Sequence, residues 1–468
     1  MSDRPPSVLS AFADTESEPA LRPGFTEQTL ALARRSVRRR RIAGALVAAV
    51  AVLIAGSMPT VVHLASGPQR PAAPAGSPSL PDRFAAYSPL TSTVSKRPPG
   101  RAVALYTYGN YELFRTYQPL VVGADRDSYR RVDAIEQRDS SAGFPQTLLS
   151  PDGTHVLVGG KATGNTSSLT LVDLGNGHRR ELRVDPPAWL VLLAWSADGR
   201  YVAYLGAPMS LNRVPDEMAD SYYGRIREDT LARGVLAVLD LTTGVSTRVA
   251  GLTAVRAVSF APDSRRLAVQ ADQGAWIVTV DGRRERQLPI PQDRELLSSH
   301  AWSPDGALIA TVPDPHGRYQ LPAGSNDLDF LDVTDTGHRP PPVTVGLVLG
   351  WRSPTQLMTF DIGDAGNGGT ITQVTLGTGQ RQTVSRFSTS MRCEYGTDFC
   401  QVSDLQLATA LLPTLTTRTA NNPDRGPWPT WLTIACLGLA IQGAAIGVWI
   451  VHVIRRRRVL ARQYPPLT

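Results

Sequence analysis

Three cysteines, seven histidines and a few closely spaced aspartates are the side chains of this 468-residue chain that could carry chemistry. Cys393 and Cys400 flank a Gly-containing loop, and Cys436 falls inside an apolar run. In an oxidising compartment the first two read as a disulfide rather than as two buried thiols. Two thiols without a nearby histidine supply half of the four ligands zinc needs, so no metal is expected. His155, His178, His300, His316 and His338 fall in or beside turns and strand starts of different segments. No G-x-S-x-G elbow accompanies them, so no catalytic residue and no enzyme activity is expected. Asp327, Asp329 and Asp332 in SNDLDFLD invite comparison with a calcium loop. They depart from its D-x-D-x-D-G spacing and run straight into a strand, so they read as strand-edge carboxylates. GDAGNGGT at 363–370 lacks the P-loop lysine and the Rossmann spacing and reads as a hairpin loop; no cofactor is expected. The arginines of 177–182 and 281–287 read as charged outer strands, with a basic surface as the alternative.

The elements that would position any such group are repeats. LLSPDGTHVLVGG from Leu148, AWSADGRYVAYLG from Ala194, SFAPDSRRLAVQA from Ser259 and AWSPDGALIATVP from Ala301 align on one turn, with a degenerate LGWRSPTQLMTFD from Leu349. Asp152, Asp198, Asp263 and Asp305 can hydrogen-bond their own backbone, and Gly153, Gly199 and Gly306 accept positive φ. Each copy is strand, turn, strand. Downstream, alternation such as Val156, Val158 reads as a half-buried strand. A second signature follows each copy (LTLVDLGNGHRREL, VLAVLDLTTGVSTRV, AWIVTVDGRRERQL), in which an apolar strand meets a Gly-containing turn and an Arg-rich outer strand. Four strands per period of roughly forty to fifty residues is the pattern of a β-propeller. The longer second interval holds a polar insertion at 208–233.

These SPDG-like turns resemble the WD40-like "PD40" repeats of TolB-type propellers over roughly residues 100 to 412, the chain looking like a membrane-anchored bacterial member. The resemblance implies an all-β fold, a roughly six-bladed β-propeller with seven blades as the alternative. It implies little about activity, because propellers host many functions. TolB-type propellers act through protein contacts, but their partner domain is missing from the pattern here, so no residue role is carried over.

Composition adds placement. The basic excess is almost wholly arginine, Lys96 and Lys161 being the only lysines, which reads as codon bias in a bacterial source rather than as nucleic-acid binding. Residues 1–41 read as a cytoplasmic, disordered, basic tail ending in Arg34 to Arg41, and 42–65 as a first transmembrane helix. An uncleaved span is preferred to a signal peptide, because the apolar run is long and no clean A-x-A site follows. A Pro-rich spacer (66–98), the propeller (99–412), a linker (413–429), a second span (430–454) and a basic tail (455–468) complete the order. Both arginine clusters lie outside the pair of spans, so both termini are expected in the cytoplasm and the propeller outside it, at the cell membrane. Gly443 and Gly447 form a GxxxG pair suited to close helix packing, although glycine is also simply common in membrane helices.

The function read from this arrangement is an extracytoplasmic module that binds or scaffolds a protein partner of the bacterial envelope, with membrane lipid around its spans and no nucleic acid. The alternatives are an envelope sensor signalling through the N-terminal tail to a regulator such as a sigma factor and, behind that, an enzyme acting on envelope polymers. One structural expectation is sharp. AVALYTYG, PLVVGAD and YRRVDAI make three strands of a first blade without a fourth, and residues 401–412 are left over at the other end, so these should pair to close the ring.

Overall fold

The computed structural model describes residues 77–85, 88, 90–108, 118–135, 146–159, 166–207, 227–313, 326–334, 337, 339–362, 368–387, 402–420, 422–428 and 430–463. It divides into two compact units, 68–429 and, separately, 1–67 with 430–468. The first is all-β and propeller-like.

Its sheets repeat one order. Ala257–Phe260, Arg266–Ala271, Gly274–Thr279 and Arg284–Leu288 form a four-stranded antiparallel sheet; Arg294–Leu296, Leu308–Pro313, Asn326–Asp332 and Val343–Val345 form the next. Leu347–Ser353, Gln356–Ile362, Gly369–Thr375 and Arg381–Phe387 follow in the same way. Between residues 147 and 248 a seven-stranded sheet contains two such runs. Its long strand Arg179–Trp195 pairs through Arg179–Arg183 with Thr166–Asp173 and through Trp189–Trp195 with Tyr201–Ala207, serving as the last strand of one run and the first of the next. The first strands Thr147–Leu149, Arg179–Trp195, Ala257–Phe260 and Arg294–Leu296 touch in turn, Trp351 bonds His300 just beyond the last of these, and Ser403–Leu407 touches both Thr147–Leu149 and Leu347–Ser353, which bends the series into a ring.

The second strand of each run departs from the alternation read in the sequence. Val156, Leu157 and Val158 are all buried, as are Val202 through Leu205 and Leu267 through Ala271. Alternation marks a sheet with one wet face, whereas sheets stacked face to face cover both sides of their middle strands. Outer strands differ: Arg284 through Gln287 are exposed.

Ring closure follows the sequence expectation in part. Ser403–Leu407 pairs with Ala102–Tyr108 (Ser403↔Thr107, Gln406↔Leu105, Leu407↔Ala104), completing a sheet with Gln118–Gly123 and Tyr129–Arg131. The rest of the leftover segment is a 3-10 turn at Thr409–Thr414, which packs on Leu347–Ser353.

The Pro-rich stretch read as a spacer contains two short paired strands. Ser79–Pro81 pairs in parallel with Thr416–Arg418, and Arg83–Phe84 adds a fifth strand beside Arg386 and Phe387. Phe84 is fully buried, stacked 4.2 Å from Phe387 with Tyr106 edge-on to both. Proline biases a chain toward extended backbone, which suits an edge strand as well as a free spacer, and one buried aromatic contributes about 1.5–3 kcal/mol. The segment 413–429 falls within the same compact unit as the sheets.

The second unit contributes one described helix, Thr430–Gln463. Within it Leu432–Arg458 is long and apolar enough to cross a membrane. The helix continues through Arg455 to Arg458, nine residues past the boundary at 454 set by the apolar run, because arginine is a good helix former. The expected first span at 42–65 and the tail before it lie outside the described residues.

Candidate functional site

Three of the four repeat turns are knots around a serine that lies outside the Asp and Gly positions of the turn motif. Ser196 Oγ donates to Asp198 Oδ1 at 2.6 Å and accepts from Tyr201 N at 2.8 Å, while Asp198 Oδ1 also accepts from Arg200 N. Ser150 with Asp152 and Ser303 with Asp305 repeat the pattern, both hydroxyl-to-carboxylate bonds at 2.6 Å. Gly153, Gly199 and Gly306 take φ of 73°, 74° and 72°, as expected. The Asp263 turn has Ala261 at the serine position and Ser264 at the glycine position, with φ of 58°. There Asp263 accepts from Arg265 N and Arg266 N and pairs with the Arg266 side chain. The Asp152 and Asp263 carboxyls are partly desolvated, which alone would raise them, but hydrogen bonds to their ionised forms hold both below the ordinary carboxylate value.

The second hairpins have their own aspartate knots. Asp173 accepts from Gly175 N and Asn176 N, and Asp240 from Thr242 N and Thr243 N. The two turns of each run are tied: Leu174 N donates to Thr154 O, Leu241 N to Arg200 O, Val280 N to Arg265 O, Val333 N to Ala307 O and Leu376 N to Thr355 O. All of these turns therefore crowd one end of the ring. They are structural, and among the described residues those singled out by sequence do not converge on a site.

The first strands are tied to one another by side chains. Gln406 bridges to the next first strand, accepting from Leu149 N and donating to Thr147 O, and Gln146 accepts from Leu192 N. Ser259 and Trp351 hold a bulge between them. Leu297 N donates to Ala310 O and Ala310 N donates to Ala301 O, so Ser298, Ser299 and His300 loop out of a first strand. Ser259 Oγ donates to Ser299 O from one neighbour, and Trp351 Nε1 donates to His300 O at 2.8 Å from the other. His300 is only partly covered, yet the surrounding strands desolvate its imidazole and push it down to about 4. Asp404, on the closing strand at φ 50°, is exposed; desolvation raises its carboxyl while the charge of Arg227 opposes the rise. His300 and Asp404 lie on or beside the first strands, which touch one another along the inner side of the series of sheets. This inner wall, carrying a neutral imidazole on a bulge fixed from both sides, is the candidate binding surface.

A second cluster lies where the chain ends meet. Arg130 is fully buried and donates to Arg97 O, Tyr129 O, Asp424 O and, at 3.0 Å, Asp424 Oδ2. Desolvation lowers the Arg130 guanidinium and Asp424 opposes this. Arg418 pairs with Asp127 at 2.8 Å and donates to Ser79 O, Gly123 O and Arg126 O. Nothing in the local sequence marks these arginines among the many others.

The chain could not be matched to any protein-family model, and no curated protein matches it. Among solved structures it is similar to TolB from Acinetobacter baumannii, at 14% identity and a TM-score of 0.42 over 66% of each chain. In fold the chain resembles TolB and other β-propeller proteins. It is also similar to oligogalacturonate lyase in complex with manganese (14%, TM-score 0.40, 65% of this chain and 78% of that one) and to the β-propeller domain of the Trilobed protease from Pyrococcus furiosus (12%, TM-score 0.31, 52% and 71%). At these values no site or activity transfers.

The remaining sequence candidates separate. Asp327 Oδ1 accepts from Thr344, Asp329 Oδ2 from Arg339, and Asp332 from Thr334 N and Gly337 N, so the three carboxylates serve different partners. His155 Nδ1 bonds Thr154 Oγ1, and His178 is exposed in its turn. A Cβ added at Gly443 or Gly447 would meet nothing within 4 Å among the described residues. Cys393, Cys400, His316 and His338 lie outside the described residues.

Proposed function

We infer that this chain is a six-bladed propeller held at the cell membrane by two spans, with both termini cytoplasmic and the ring outside, and that it binds a protein partner of the envelope without catalysing a reaction. The observation that carries this is the parallel pairing of Ser79–Pro81 with Thr416–Arg418: the segment that follows the first apolar run and the one that precedes the second lie side by side. A ring whose two ends meet at one point suits a platform tethered at both ends to one surface. The arginine clusters at 34–41 and 455–458 support the orientation. Six blades follow if the long strand Arg179–Trp195 is counted in both runs it completes.

The inner wall, with His300 and Asp404, is the surface we assign to the partner. Reporter fusions test the topology: a reporter active only in the cytoplasm should work after Thr468 and fail at Gly324, and activity at Gly324 would sink the two-span reading. Capture of one envelope protein by the detergent-solubilised chain, lost on substituting His300 and Asp404, tests the binding reading. Turnover of an envelope polymer by the purified chain would replace it with the enzymatic alternative.

A further inference from the structure

The chain between Ser403 and Gly426 reaches both edges of the first sheet. Ser403–Leu407 supplies its inner strand against Ala102–Tyr108. The chain then turns through Thr409–Thr414, where Ala410 N donates to Pro151 O of the next run, and Thr416–Arg418 pairs with the N-terminal segment. At the opposite edge Asp424 bridges Ser128 in parallel, Asp424 N donates to Asp127 O, Tyr129 N to Asp424 O and Ser92 N to Arg425 O. The sheet's other three strands come from residues 102–131; the same C-terminal stretch supplies its inner edge and, beside Ser92–Val94, which pairs with Arg131, part of its outer edge.

Two cationic side chains seat that stretch. Among the described residues, Asp424 is the carboxylate that Arg130 bonds, and the Arg130 side chain is out of reach of water. Unseating residues 422–426 would leave a buried cation without a counter-ion, which is far more costly than breaking an exposed ion pair. Arg418 ties the same stretch to the turn at 123–128 and to Ser79.

We propose that residues 416–426 are a strap that locks the ring shut, so that seating at Asp424 and pairing of the closing strand Ser403–Leu407 open and close as one cooperative unit.

The test is hydrogen exchange read by mass spectrometry on the full-length protein in detergent micelles. In the unsubstituted protein at low denaturant, amides of 403–407 and of 422–426 should share one denaturant dependence, whereas 257–271 should exchange more slowly on another. Separate dependences for the two strap-linked segments would overturn the proposal. In Asp424→Asn, exchange at 403–407 and 79–84 should rise about tenfold or more with 257–271 unchanged, and Arg418→Gln should give the same pattern. Faster exchange at 422–426 with 403–407 unmoved would show a tether rather than a lock. A uniform rise across the chain would show general destabilisation and equally overturn it. If either variant fails to fold, the measurement on the unsubstituted protein still decides.

Discussion

The repeat turns and the closure region are both built from aspartates and hydrogen bonds, yet they differ in how far the partners lie apart. In the Asp198 turn the bonds of the Ser196 hydroxyl and the Asp198 carboxylate stay within five residues, Ser196 through Tyr201, and a long-range bond from Asp198 N to Ser264 Oγ joins it to the next turn. At closure Arg130 and Asp424 are 294 residues apart, as are Arg418 and Ala124. Local knots can form before the fold is complete and can vary one at a time, as the Asp263 turn shows by exchanging its serine for alanine. Long-range partners order a large loop for each contact, so closure depends on many contacts forming together.

The comparison is broken most severely by truncation. A fragment of residues 85–412 contains every repeat turn but lacks the strap and the strand Ser79–Pro81, and it leaves Arg130 unpaired. Compared with residues 77–428, it should lose a cooperative thermal transition. A sharp melt for 85–412 within a few degrees of the longer fragment would show that closure is as local as the turns.

Asp424→Asn should come next, at about 2–4 kcal/mol, less than a fully buried pair because a third of the aspartate side chain is open to solvent. Asp263→Asn, in an exposed turn, should cost well under half of that. Denaturant unfolding of both variants checks the ratio, and equal losses would erase the distinction between the regions.

Acid sharpens it differently. His300 is depressed to about 4 when folded, so the unfolded chain takes up its proton first as pH falls below the ordinary value near 6.5. Its contribution to stability is therefore present above that value and is lost as pH falls from about 6.5 to about 4, by roughly 1–3 kcal/mol. The lowered aspartates Asp152, Asp263 and Asp424 act later: their contribution is present above the ordinary carboxylate value, about 4, and lost as pH falls through their depressed folded values. In His300→Gln the loss in melting temperature between pH 6.5 and 4 should shrink while the fall at lower pH remains. An unchanged upper limb would place the sensitivity elsewhere.

The smallest effects belong to single turns. Ser196→Ala and Ser303→Ala each remove a donor to aspartate and an acceptor for a backbone N–H, and should cost about 1–2 kcal/mol. Ala261→Ser, which supplies the missing hydroxyl, should gain about 0.5 kcal/mol if the fourth turn can adopt the same knot. Melting curves of the three variants measure how far the turns are equivalent, and a cost from Ala261→Ser would show that Arg266 has taken the serine's place.

Much of this was readable in the chain. The four aspartate turns, the paired hairpins and the closing strand could be placed because their signals are short-range: Pro, Asp and Gly dictate a turn through φ preferences and a side chain reaching its own backbone. The serine two residues before each aspartate was also visible, in SPDG and SADG, but its role as an acceptor emerges only when the turn is closed around it. Apolar content marks a span ending at Ile454, whereas the helix itself runs on to Gln463 because arginine sustains helical backbone.

What the sequence by itself determined, then, is the repeating strand and turn plan and the apolar run at Leu432–Arg458, since both are written in neighbouring residues. Only the tertiary structure decided which of many arginines is buried, that the proline-rich segment ends in paired strands at 79–84, and that the strap seats on the first sheet. Each of these depends on surfaces hundreds of residues apart, and burial or a counter-ion is a property of the assembled neighbourhood that no local pattern of residues encodes.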